Sequence, residues 1–329
     1  VLRFDDPFSY SAAVQTINVE ILPTSRGAFH GELTQVRMDR LWMQRFRLNL
    51  PQVSAGALSS DRKVFSFLSD SSSGKVRHCG LDVSSGDILV TGFDAYHVRS
   101  EADLRLASLS LPADEFPVAC KAIVGHEISE AQNRCLVRPS PALMSRLSQL
   151  HKAIGQLAHD TPDILELPEV ARALEQHTIH LLVRCLAEGV SRKGSKGFYR
   201  HDAIIAQFEE FLAAHPDQPL YITEICGALG VSERTLRACC EERLGMGPIR
   251  YLTLRRMHLV RRALLRGDPS SETVTTIVTD HGFWELGRFS VAYRSLFGET
   301  PSQTLRRPAR YSSLPFIEAA EATLIGRSS

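Results

Sequence analysis

Two hydrophobic periods divide the chain. From Glu32 onward apolar and polar positions alternate: Val36 and Met38 oppose Arg37 and Asp39, and Phe46, Leu48 and Leu50 oppose Arg45, Arg47 and Asn49. A period of two predicts strands with one face on a core and one in water. An earlier strand-like piece covers 17–22 and ends at Pro23. Further apolar runs cover 64–68, 88–90 and 104–111, parted by the turn-rich pieces SDSSSG and SSGD. Short strands with no long helix among them predict an antiparallel sandwich or barrel over about 15–135.

After Pro141 the spacing changes to three and four. Leu143, Leu147, Leu150, Ile154 and Leu157 form one stripe behind Ser140, a natural N-cap. Val170, Leu174, His177, Leu181 and Val183 form another that runs up to Gly189. Two amphipathic helices joined at Thr161-Pro162-Asp163 predict an antiparallel hairpin over about 140–190. Residues 191–197, SRKGSKG, hold two glycines, two serines, three basic residues and no apolar side chain. Such a stretch has nothing to bury, and predicts a flexible linker between a domain over 1–190 and another over 198–310. Past it, a helix over 201–214 offers Ile204, Ile205, Phe208, Phe211 and Leu212 to its successors and stops before Pro216.

Between Tyr221 and Arg307 the helical spacing takes a repeated form. Residues 222–245 (ITEICGALGVSERTLRACCEERLG) and 273–298 (TVTTIVTDHGFWELGRFSVAYRSLFG) each hold a short apolar helix, a turn with glycine (Gly230; Gly282), and a second helix with arginines on its polar face. This is the helix-turn-helix pattern. Between them lies PIRYLTLRRMHLVRRALLR, 248–266. It opens on Pro248 at a first helical position and is stopped by Gly267-Asp268-Pro269. Ile249, Leu252, Met257, Val260 and Leu264 supply its apolar stripe. At 1.5 Å per residue this helix is about 28 Å long, against about 34 Å for one turn of B-DNA. A strut of that length can hold two reading helices over successive major-groove windows.

GVSERTL (230–236), the Tyr251-Leu252 pair in the arginine-rich connector, HGFWELGRFSVAYRSLFG (281–298) and TPSQTLR (300–306) together resemble the AraC/XylS transcription regulators. The resemblance is close over the last third of the chain and general in layout before it. It implies a DNA-binding domain of two helix-turn-helix motifs on a central helix. It also decides VTTIVTD as helix, packed through Val274, Ile277 and Val278, although β-branched residues favour a strand on propensity alone. Ahead of that domain it implies a small cupin-like β-barrel that takes an inducer, and a helical hairpin that supports self-association or covers one end of the barrel. Gly86-Asp87-Ile88-Leu89-Val90 with His97 resembles a turn-and-strand segment of such barrels. The expected fold class is α+β with two domains: an N-terminal cupin-like β-barrel with a helical hairpin, and a C-terminal all-α double helix-turn-helix. A tail over 311–329 follows, with a short helix expected after Phe316.

A chain of 329 residues, 43% hydrophobic and 23% charged, has room for two cores and the make-up of a soluble protein. Its net charge of +1 is unevenly spread, because 221–307 holds thirteen arginines, no lysines and nine acids. A basic C-terminal part fits nucleic acid, although an excess of four over such a span is also ordinary. Seven cysteines without CxxC spacing argue against a disulfide framework and for a reducing compartment. Cys240 reads as a small core filler, and a bridge to the adjacent Cys239 would be strained. No apolar run reaches the ~18 residues of a membrane span. The N-terminus lacks a basic region followed by an apolar stretch, so the expected location is the bacterial cytoplasm, at the nucleoid.

Ser232 is expected to cap the first reading helix, which then shows Glu233, Arg234, Thr235, Arg237 and Ala238 where base edges are met, with Leu236 and Cys240 inward. Arginine suits guanine O6 and N7; Glu233 either accepts from cytosine N4 or only complements the helix dipole. Arg243 and Arg250 are expected at phosphates. The matching positions in the second unit are Leu286, Gly287, Arg288, Ser290, Val291 and Arg294. Leu286 and Val291 can touch thymine methyls but form no hydrogen bonds. The second unit is therefore expected to add affinity and shape reading, and the first to carry base selectivity.

Trp42, Arg45, Arg47 and His97 are candidate effector-pocket residues; the alternative makes Trp42 core and the arginines a solvated strand face. A cupin metal site needs two flanking histidines, a glutamate and a later histidine. His30 with Glu32, and His97, each stand alone, and His177 with His180 lack a third ligand. No metal, cofactor or catalytic residue is expected. The expected function is a sequence-specific regulator, an activator rather than a repressor, that binds double-stranded promoter DNA as a homodimer, answers a small-molecule effector, engages RNA polymerase and needs no membrane. The rivals are a metal-dependent cupin-type enzyme carrying a DNA-binding appendage, a DNA-repair alkyl acceptor with the same domain, and a constitutive DNA binder without ligand.

Overall fold

The alternating half of the chain folds into two open antiparallel sheets. A computed structural model describes residues 1–14, 17–58, 61–70, 72–91, 95–128, 135–192, 196–215 and 220–307. The first half runs β1 (Leu2–Phe4), α1 (Pro7–Ala13), β2 (Ile17–Pro23), β3 (Gly31–Arg37), β4 (Trp42–Leu48), β5 (Gln52–Leu58), β6 (Arg62–Leu68), β7 (Val76–His78), β8 (Leu81–Val83), β9 (Ile88–Thr91), β10 (Ala95–Ser100) and β11 (Leu104–Pro112). Then come α2 (Glu115–Val124), β12 (Cys135–Arg138), α3 (Pro141–Asp160), α4 (Pro162–Glu166), α5 (Pro168–Glu188), β13 (Val190–Arg192) and α6 (Lys196–Ala214). The C-terminal part is α7 (Ile222–Leu229), α8 (Glu233–Leu244), α9 (Pro248–Arg266), α10 (Val274–Asp280), α11 (Leu286–Phe297) and α12 (Pro301–Leu305).

The larger sheet has the order β1-β3-β4-β11-β6-β9-β12-β13 and the smaller β2-β5-β10-β7-β8. Their inner faces share a core that includes Ile21, Leu33, Leu48, Val76, Leu89, Leu104 and Leu136. Among the described residues the expected cupin-like closed barrel is not found. β2 leaves the neighbourhood of β3 to pair with β5, so the strands divide between two sheets instead of closing one.

The wet face expected on the larger sheet is not wet either. α2, α3 and α5 lie on it, so Met43, Phe65, Phe67, Ile88 and Leu109 join Leu147, Ile154, Leu181 and Leu182 in a second core. β6 and β9 are accordingly buried along nearly all their length, as strands covered on both sides must be. α1 and α2 were not signalled by the hydrophobic period. α1 depends on local chemistry: Asp6 accepts from the Ser9 amide at 2.8 Å and Pro7 opens the helix.

The hairpin forms with Ser140 as its cap, its side chain accepting from the Leu143 amide. The short α4 interrupts it. In α5 the inward face carries Thr178, Ile179, Leu181, Leu182 and Cys185, whereas His177, placed in the apolar stripe by its spacing, is exposed. Glu175 on the same helix is buried, and accepts from the Arg40 and Leu41 amides at 2.8 and 3.2 Å.

The expected linker 191–197 is mostly built into the fold. Ser191 and Arg192 belong to β13, which pairs with β12, and Arg192 sits 2.7 Å from the buried Asp87, which also holds Arg138. α6 begins at Lys196, leaving 193–195 outside the described residues. The expected tail helix after Phe316 also lies outside them.

Candidate nucleic-acid interface

The C-terminal helices hang on α9, whose bounds are those its sequence predicts. One side belongs to two cores in succession. Tyr251 and Leu252 pack with Phe208, Ile225, Leu236 and Cys240, while Met257, Val260 and Leu264 pack with Ile277, Val278, Phe289 and Tyr293. Ile249, assigned to the same stripe, is instead 58% exposed, because it lies off the helix face that Pro248, Tyr251 and Leu252 bury. A single continuous helix therefore fixes the two units relative to each other.

In the first unit Gly230 takes φ +64 and ends α7, a left-handed turn for which glycine carries no Cβ penalty. Ser232 then caps α8, its hydroxyl accepting from the Thr235 amide at 3.2 Å. Leu236, Cys239 and Cys240 are buried; Ser232, Glu233, Arg234, Arg237 and Ala238 are exposed, and Thr235 is half-buried. Arg237 lies 3.1 Å from Glu233, one turn back. The acid thus has a cationic partner on its own helix, which must be released if Arg237 is to meet a base.

Arg243 is a correction. Expected at a phosphate, its side chain is fully buried and donates from Nη1 to the Cys79 carbonyl at 2.6 Å, on the smaller sheet. Arg250 is exposed.

In the second unit Thr273 caps α10 and Gly282 makes the turn at φ +76. On α11, Gly287, Arg288, Ser290, Val291 and Arg294 are exposed, while Phe289 and Tyr293 are buried. Leu286, placed on the reading face by analogy with the first unit, is half-buried against the second core. Nearby in sequence, Trp284 is the outward one, 75% exposed, and Val291 on α11 is 73% exposed. Trp284 was missed because the HGFW turn offers two adjacent apolar rings, and only the start of α11 decides which turns inward. Arg288 pairs with Glu285 at 2.8 Å.

Several of the thirteen arginines between 221 and 307 are structural. Arg255 pairs with Glu20 at 3.2 Å and also donates to the Leu212 carbonyl. Arg261 meets Glu299 at 2.7 Å and stacks over Phe297. With Arg243 these are largely withdrawn from solvent, so the exposed cation on the reading helices and the start of α9 is Arg234, Arg237, Arg250, Arg288 and Arg294, with Arg266, Arg306 and Arg307 exposed elsewhere.

The four candidate effector residues are not brought together. The guanidinium groups of Arg37 and Arg62 both lie over the Trp42 ring, at 4.5 and 4.0 Å. Arg45 lies beneath α3, where its Nη1 is 3.3 Å from His151 Nδ1 and burial lowers its pKa. Arg47 is exposed, 3.7 Å from Glu32. His97 is buried in the other sheet, 3.9 Å from Glu209 on α6. An open cleft of about 330 Å³ lies elsewhere, lined by Leu68, Gly86, Arg138, Pro141, Met144 and Ser148. Among the described residues no three His, Cys, Asp or Glu side chains gather to hold a metal ion, and no helix is long and apolar enough to cross a membrane.

A helix-turn-helix domain family matches residues 225–307. Over 97 residues the chain is 42% identical to a Rhodococcus erythropolis protein described as "Probable thc operon regulatory protein", an alignment covering 30% of this chain and 29% of that one. Over 124 residues it is 31% identical to XylDLEGF operon transcriptional activator 2 of Pseudomonas putida, covering 38% of this chain and 77% of the relative. Among solved structures it is similar to "a probable AraC family transcriptional regulator" from Rhodopseudomonas palustris CGA009, at 31% identity and a TM-score of 0.30 over 33% of this chain and 98% of that one. The chain spans less than a third of the first relative's length, and about half of some further XylDLEGF operon activators.

Proposed function

The chain belongs to the AraC/XylS family of transcription regulators, and from that premise we propose that it is an effector-responsive activator that reads promoter DNA with both helix-turn-helix units. The observation that carries this reading is α9: one helix shared by two cores, with an exposed arginine-bearing helix on each side of it. Arg234, Arg237 and Ala238 supply base contacts in one major-groove window. Arg288, Ser290, Val291 and Arg294 lie on the next, with Trp284 at its edge. Activation is supported by the name of the Pseudomonas putida relative, a transcriptional activator. Activation in turn requires contact with RNA polymerase.

The N-terminal domain takes the effector. The cleft beside Arg138 suits a small molecule, since the buried Asp87 there binds both Arg138 and Arg192, and Arg192 stands just ahead of α6. A ligand drawing on Arg138 would disturb the last strand before the DNA-binding helices. The hairpin serves self-association, with Ile164 and Leu167 exposed at its tip. Recovery of genomic fragments bound by the purified chain, followed by footprinting, tests the reading. The expected result is two protected major-groove windows about 34 Å apart; no enrichment over scrambled DNA would overturn it.

A further inference from the structure

Arg243 closes α8, and its guanidinium is plugged into the β7–β8 turn of the other domain. That turn is shaped around it. Cys79 and Gly80 take φ +44 and +81, and a Cβ at Gly80 would stand only 1.4 Å from Arg243 Nη1, so no larger residue fits the socket. Glu242 lies 3.4 Å from the same nitrogen. A second contact repeats the arrangement: Arg99 of β10 lies over Gly245, the residue that ends α8, where a Cβ would meet it at 2.4 Å. Leu22 and Val53 of the smaller sheet share a core with Leu236, Cys239 and Leu244 of α8. The core of the second unit, among the described residues, draws on the C-terminal helices alone.

We propose that Arg243 is a positioning residue for DNA reading: through the Cys79-Gly80 socket, the N-terminal sheet sets where α8 lies. A change in that sheet then reaches the first reading helix directly, and the second only through α9. The exposed face bearing Arg234 and Arg237 moves with the buried end of its own helix, because a helix of twelve residues transmits displacement as a rod. This rests on the regulator reading only in its DNA-binding arm.

Gly80→Ala and Arg243→Met in the full chain test it with two readouts. In hydrogen exchange without DNA, Gly80→Ala, far from α8 in sequence, is expected to speed exchange near Cys239–Leu244 by about tenfold and leave α11 unchanged. In binding, both variants are expected to lower the affinity ratio of a selected over a scrambled duplex by about fivefold, with the salt slope kept. Unchanged α8 exchange in Gly80→Ala would overturn the proposal. So would an Arg243→Met variant that weakens both duplexes equally with a salt slope smaller by about one, the mark of a phosphate contact. Lost thermal stability with an unaltered affinity ratio would make the socket merely structural and overturn it too. If Arg243→Met does not fold, Gly80→Ala decides alone. If the wild type prefers no duplex, the regulator reading falls and the exchange result still decides the socket.

Discussion

The phenol of Tyr251 donates to the Glu209 carboxyl at 2.5 Å, at the seam where α6 and α9 meet the smaller sheet. His97 Nε2 stands 3.9 Å from the same carboxyl, and the Glu20–Arg255 pair closes the cluster. Burial raises the Glu209 pKa from 4.5 to about 7; the Tyr251 hydrogen bond and Arg255 oppose the shift, and Glu20 adds to it. The seam between the domains thus holds a proton that the unfolded chain would release.

That proton makes stability depend on pH. The unfolded carboxyl ionises through 4.5 and the folded one only through about 7. The stability it contributes is complete below 4.5 and lost as pH rises through 7, by about 3 kcal/mol over the whole window. Glu209→Gln keeps a partner for Tyr251 and has no proton to lose. From pH 5 to 7.5 the denaturant midpoint of Glu209→Gln should therefore rise relative to that of the wild type. Parallel behaviour would show that Glu209 does not hold this proton.

His151 has the opposite sign. Its Nδ1 accepts from Arg45 and its Nε2–H donates to the Ser108 carbonyl, each at 3.3 Å, which fixes a neutral ring. Burial first, then the Arg45 charge, lowers its pKa from 6.5 to about 3. His258 is lowered by burial to about 4 while its Nε2 donates to the Pro23 carbonyl. The unfolded chain takes up these protons below 6.5 and the folded chain does not. The stability is present above 6.5 and lost as pH falls toward 3. On a Glu209→Gln background, which removes the opposing slope, His151→Gln should flatten the loss between pH 6.5 and 4. An unchanged acid limb would count against this assignment.

How far these features were legible in the sequence depends on the range of the interaction. α9 was legible to the residue, because Pro248, Gly267 and a regular stripe are local signals. The reading positions on α8 followed from Ser232 as a cap and a period of 3.6. Arg243 was not legible, since its partner is a backbone carbonyl 164 residues away and carbonyls leave no trace in side-chain pattern. The same limit hid the division into two sheets, which depends on β2 finding β5 instead of β3. Leu286 was placed outward and Trp284 given no role because helical phase at α11 is set by where the helix starts, and Glu285 at that start makes no side-chain cap hydrogen bond.

Ser232 tests the local part of that account. Its hydroxyl satisfies an amide at the start of α8 that no helical carbonyl can reach. Ser232→Ala should cost about 1 kcal/mol of stability, while Ser232→Asp should retain most of it. The comparison is made by thermal unfolding at neutral pH. Equal stability of all three proteins would mean that the cap contributes nothing here.

The division of labour between the two reading helices can be measured directly. Among the described residues no ion pair engages Arg234, whereas Arg237 must first leave Glu233. Arg234→Ala should therefore cost about 1–3 kcal/mol on a selected duplex and far less on a scrambled one, and Arg237→Ala should cost less than Arg234→Ala. On the second unit Trp284 and Val291 present apolar surface and Arg288 is tied to Glu285. Burying part of an indole against DNA is worth about 1 kcal/mol without regard to base order. Trp284→Ala should weaken selected and scrambled duplexes alike, by several-fold, in anisotropy titrations. Trp284 emission should fall on adding duplex, a change lost in Trp284→Phe. If Trp284→Ala instead erased the preference for the selected duplex while Arg234→Ala left it intact, base selectivity would reside in the second unit and the assignment would be reversed.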